Sequence, residues 1–107
     1  MPNLEEQITH IKSLKDNWDG ENARAIKEKT INKALEYIPI IKRDILFRRG
    51  IALEEPSISP VKNGSIDILW ETEEYGLLAN IPAKEIAINY YWKNKKDLKD
   101  NLEVSLY

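Results

Sequence analysis

The feature that most limits this chain is a change of hydrophobic period near residue 57. Before it, apolar residues recur every three or four positions; after it, they recur every second position. Leu4, Ile8, Ile11 and Trp18, with Leu14 between them, form one stripe, which predicts a first helix over 3–16. Pro2 and Asn3 suit its start, and Glu5 and Glu6 complement the positive end of its dipole. Ile31, Ala34, Leu35, Ile38, Ile41 and Ile45 predict a second helix over 27–48, with Gly50 as its stop. Pro39 lies inside that helix, so a kink or a break near Tyr37–Pro39 is expected.

Beyond residue 57 the strongest local signal is Asn63-Gly64, which suits a two-residue type I′ hairpin. That turn sets Val61 opposite Ile66 and Ile58 opposite Leu69. Ile66, Ile68 and Trp70 then share one face. Further strands are expected at 75–81 (Leu77, Ala79, Ile81), at 86–92 (Ile86, Ile88, Tyr90, Trp92), and at a short last strand using Val104 and Leu106. The fold class is therefore α+β in a single domain, 1–107. Two N-terminal helices, the second kinked at Pro39, pack on one face of a four- or five-stranded antiparallel meander.

Composition narrows function more than it identifies it. With no cysteine, the 107 residues carry no disulfide, thiolate metal site or thiol nucleophile. The start, "MPNLEEQITH", lacks the pattern of a secretory signal, and no apolar run approaches a membrane span, so a cytoplasmic location is expected. The net charge of −2 is unevenly distributed: +4 over 27–49, −5 over 50–92, and +1 over 93–107.

The stretch "DNWDGENA" crowds acids and amides around one tryptophan and one glycine. As a calcium loop with Gly20 at its sixth position, it would place Lys15 and Ile26 where carboxylates are required, and the assignment fails. A turn accounts for it: Trp18 buries its ring, Asp19-Gly20 reverses the chain, and Ala23 and Ile26 lead back to the core. Asp16, Asp19 and Glu21 are then candidate contacts on an exposed loop. The single His10 nominates no metal site, and no metal or cofactor is expected. In "WETEEYG", Glu71, Glu73 and Glu74 form a solvated acidic turn.

The chain resembles small uncharacterised bacterial and phage-borne proteins through "NWDGENARAI", a following helix and "PSISPVKNGSIDILW", a pattern covering most of 14–71. The segment "IKRDILFRRGIALEE" departs from that pattern. The resemblance implies toxin–antitoxin, phage or defence-related settings and brings no catalytic residue with it.

Three functions follow as expectations. The first is a non-catalytic regulatory factor that masks a partner protein, through an outer sheet face of Leu69, Leu78, Asn80, Asn89 and Tyr91. Its rim would comprise Glu73, Glu74 and the opening loop. The second is nucleic-acid binding through Lys42, Arg43, Arg48, Arg49, Lys93, Lys95 and Lys96, against which a pI near 5.5 argues. The third is an enzyme pairing His10 with the acidic loop. Homodimerisation through the open face or an edge strand is compatible with each.

Overall fold

A computed structural model describes residues 3–84 and 86–106. Its elements are α1 (Leu4–Ser13), α2 (Glu28–Arg49), β1 (Ser57–Pro60), β2 (Ile66–Glu71), β3 (Tyr75–Ile81), β4 (Ile88–Asn94) and β5 (Asn101–Leu106). The strands form one antiparallel sheet in the order β1-β2-β3-β4-β5. Pro2 lies outside the described residues.

The Asn3 side chain caps α1 by accepting from the Glu6 amide at 2.8 Å. The helix ends three residues earlier than the apolar spacing predicts. Leu14 is extended and Asn17 is left-handed (φ 66°), a conformation that helical spacing cannot continue. The second helix does not break at Pro39: α2 is one element through it. Leu35, whose carbonyl would lose its partner to Pro39, is an exposed residue, where water can serve that oxygen. Its exposure also removes Leu35 from the expected apolar stripe. Gly50 ends α2 in the left-handed region and donates to the Leu46 carbonyl at 2.9 Å.

The β1–β2 hairpin corrects the expected register by one residue. Ile58 pairs with Ile68 and Pro60 with Ile66, so Ile58 does not oppose Leu69, nor Val61 Ile66. The Gly64 amide donates to the Val61 carbonyl, and the Val61 amide to Ser65. Gly64 (φ 89°) has a positive φ, whereas Asn63 does not. This is a three-residue loop with a left-handed glycine, not a two-residue type I′ turn. The hydrophobic pattern selects it, because the expected register would turn Ile58 to the face occupied by Leu69.

Strand β4 begins at Ile88, two residues later than expected, and Ile86 is 61% exposed. The ladder with β3 stops near Ile81, leaving Ile86 no cross-strand partner despite its place in the alternation. Ile8, Ile11, Ile31, Ile38, Ile41 and Ile45 from the helices share one buried cluster with Ile58, Ile66, Ile68, Trp70, Leu77, Ile88, Tyr90 and Trp92. Leu53, from the segment between α2 and β1, joins them, and Glu54 accepts the Trp70 indole N–H through its carbonyl at 2.7 Å. Among the described residues no helix is long and apolar enough to cross a membrane.

Candidate functional site

Alternation along each strand sends one residue of every pair away from the buried cluster, and the register decides which of these become neighbours. Leu69 pairs with Leu78, Leu78 with Tyr91, and Tyr91 with Glu103. The first three form a continuous apolar row, 36%, 41% and 51% exposed respectively. They border a surface cleft of about 450 Å³ whose margin includes Glu71, Gly76, Lys93, Asn101 and Glu103. Gly76 faces Lys93 across the ladder, and a methyl added there would meet the Lys93 side chain at 3.5 Å. The missing side chain therefore leaves room that the Lys93 chain partly borders.

A second row, Asp67, Asn80, Asn89 and Ser105, runs beside the apolar one. Asn80 Nδ2 donates to Asp67 Oδ1 at 2.9 Å and to Ser65 Oγ at 3.0 Å, and Ser105 Oγ donates to Asn89 Oδ1 at 2.6 Å. The row thus holds two bonded pairs, Asp67 with Asn80 and Asn89 with Ser105. They flank the apolar row as a preorganised polar ladder.

The opening loop is built by three left-handed residues, Asn17, Gly20 and Asn22, which are the types that tolerate that conformation. Asp19 Oδ1 accepts from the Glu21 and Ala23 amides at 2.8 and 3.0 Å, and Asp16 Oδ1 accepts from Ala25 at 2.9 Å. Asn17 Oδ1 accepts from Asn22, and half-buried Trp18 donates its indole N–H to the Arg24 carbonyl. Lys62 on the hairpin reaches Glu21 at 2.8 Å and Asp19 at 3.5 Å. Desolvation pushes the Asp19 carboxyl up, but the two amides and Lys62 outweigh it and hold its pKa below the ordinary value. Glu21, and then Asp19, hold the Lys62 ammonium above its usual value. Asp16 and Asp19 are thus braces of the loop. Asn17 and Arg24, with Trp18, carry as much of its construction; the Asn-Gly-Asn spacing at 17, 20 and 22 is a signal for Asn17, whereas the Arg24 carbonyl has none in the sequence.

The loop borders a cleft of about 1040 Å³ shared with Asn63, Gly64, Asn80 and the segment Pro82–Lys84. Asn80 belongs both to this cleft and to the polar row. Glu73 and Glu74 are exposed at the β2–β3 turn, the opposite end of β2 from the hairpin that Lys62 occupies. The expected rim is therefore split: Asp16, Asp19 and Glu21 lie at one end of the sheet, and Glu73 and Glu74 at the other.

Several of the basic candidates already have carboxylate partners. Arg48 pairs with Asp44 at 2.9 Å, Arg49 with Asp100 at 3.0 Å, and Lys95 with Glu71 at 3.1 Å. Arg49 also lies over the Trp92 ring, 5.2 Å from its centroid. Lys42 is half-buried, while Arg43, Lys93 and Lys96 are exposed. His10 is exposed beside a shallow cleft between α1 and β1 whose one carboxylate is Glu6. The acidic loop is not part of that cleft. Among the described residues no group of three or more His, Cys, Asp or Glu side chains is placed to hold a metal ion.

No protein family, curated protein or solved structure matches the chain.

Proposed function

We propose that the chain is a non-catalytic binding factor that covers a partner protein with the outer face of its sheet, in the manner of an antitoxin or an anti-defence protein. In this reading both helices, with α2 bent at Pro39, occupy the opposite face. The cysteine-free chain works in the cytoplasm. The observation that carries the proposal is the apolar row Leu69, Leu78 and Tyr91, exposed side by side beside a cleft and flanked by Asp67, Asn80, Asn89 and Ser105. An apolar centre bordered by polar groups is the usual anatomy of a protein interface. Glu103 and Lys93 on the margin favour a partner whose own apolar patch is bordered by charges of both signs. The engagement of Arg48, Arg49 and Lys95 with carboxylates argues for this reading over nucleic-acid binding.

The test is affinity capture from the native host with the wild-type chain, Leu78→Glu, and a helix-side control, Lys33→Glu. A stoichiometric protein retained by the wild type and the control but lost with Leu78→Glu is the expected result. Equal recovery by all three would refute the outer face as the binding surface. Recovery of nucleic acid in place of protein, released by moderate salt, would refute the class of partner.

A further inference from the structure

The two edges of the sheet are treated differently. At one, β1 is four residues long and ends in Pro60, and the Ile58 amide donates to Gln7 Oε1 of α1 at 2.7 Å. A short strand, a proline and a covering helix are familiar means of closing an edge. At the other, β5 runs for six residues, Asn101–Leu106, with no proline, lysine or arginine.

The ladder shows which main-chain groups of β5 face outward. The Asn94 amide donates to the Asp100 carbonyl at 3.0 Å, which marks 94 and 100 as a hydrogen-bonded pair. Alternation then makes 92 with 102, 90 with 104 and 88 with 106 the other bonded pairs. The main-chain groups of Asn101, Glu103 and Ser105 therefore point away from β4. The same parity argument applied to β1, from the Val61 amide to the Ser65 carbonyl, makes Ile58 outward-facing, in agreement with its bond to Gln7.

We propose that β5 pairs with β5 of a second copy, antiparallel about a two-fold axis at Val104, to make one continuous ten-stranded sheet. Registers that keep the two faces in phase oppose residues of equal parity. Of the two most central, one sets Glu103 against Glu103 and the other sets Glu103 against Ser105 of the second copy. The second register avoids the like charges and joins outward-facing groups. It also opposes Leu102 with Leu106 and Val104 with itself on the helix side. Phe47, 90% exposed, borders a cleft with Ile40 and Leu106 along this edge, and the second copy covers it.

Sedimentation equilibrium of the full chain should give twice its 12.5 kDa mass. Ser105→Pro removes an outward donor from each copy and should give a monomer with an unchanged circular dichroism spectrum. In this cysteine-free chain, Val104→Cys faces itself across the axis at about 4.5 Å between Cα atoms, within disulfide range. It should cross-link on oxidation faster than Leu69→Cys on the outer face. A monomer at every concentration, or a dimer that survives Ser105→Pro, would overturn the pairing. So would a Val104→Cys chain that cross-links no faster than Leu69→Cys, a comparison that still decides if the proline variant fails to fold. A monomer leaves the outer-face proposal standing, since that surface does not require β5 to be paired.

Discussion

Removing one oxygen atom, by Tyr90→Phe, tests how α2 is fastened to the sheet. Tyr90 is fully buried, and its hydroxyl donates to Asp44 Oδ2, the same oxygen that accepts from Arg48 Nε. A hydrogen bond to a charged group contributes about 1.5–3 kcal/mol. Asp44 keeps Arg48 and remains partly solvated, so no orphaned charge results, and the lower end, about 1.5 kcal/mol, is expected near pH 8. That corresponds to a fall in Tm of roughly 6–12 °C.

The alkaline limb is more diagnostic. Burial first, and then Asp44, raise the Tyr90 pKa far above its ordinary 10.0, with Arg48 partly opposing them. A raised pKa gives stability that is complete below the unfolded value and is lost as pH climbs toward the folded one. Above pH 10 the unfolded chain releases this proton and the folded chain keeps it, so the wild type loses about 1.4 kcal/mol per pH unit through this residue. Phenylalanine has no proton to release. The two stability curves should therefore converge and meet at about pH 11, since the 1.5 kcal/mol gap is roughly one unit of that slope. Urea titrations followed by circular dichroism from about pH 8 to 11 measure this directly. A gap that is absent at pH 8, or constant across the range, would refute the Tyr90–Asp44 assignment.

Three further substitutions probe the loops. Because Asp19 has a lowered pKa, its contribution is present above the ordinary value of 3.8 and is lost as pH falls through the lower folded value. Hydrogen exchange should show the Glu21 and Ala23 amides protected at pH 4 and released on further acidification, and Asp19→Asn should abolish that pH dependence. Gly64→Ala should cost about 1–2 kcal/mol in thermal unfolding, because a side chain is forced into φ 89°. The new methyl would meet Ala83 at an ordinary 3.6 Å, so the cost is one of backbone conformation. Gly64→Asn should recover part of it.

The change of period made the α+β class and the positions of both helices and β2, β3 and β5 legible from the residues alone. The hairpin register was not, because Asn-Gly is compatible with turns of different length. Placing Ile58 on the Ile68 face would have chosen between them. The end of α1 was obscured by Leu14 and Trp18, which continue the helical spacing although Asn17 breaks the helix. Ile86 misled for a related reason: alternation says which way a residue would point but not where a neighbouring strand stops. At the candidate site, the row Leu69, Leu78 and Tyr91 followed from alternation. The separation of Glu73 and Glu74 from the opening loop required knowing which ends of the strands lie together.

Every pairing in the sheet joins strands consecutive in the chain, whereas each helix is fastened by a bond to a distant residue, Gln7 to Ile58 and Asp44 to Tyr90. During synthesis the helices emerge first. At ordinary rates of translation, the 58 residues from Gly50 to Tyr107 follow α2 over roughly 3–12 s, far longer than a hairpin takes to close. The isoleucines of α2 therefore find their cover only after the strands that follow them, β2 and β3 first, have been made, so the core of this protein closes late in synthesis.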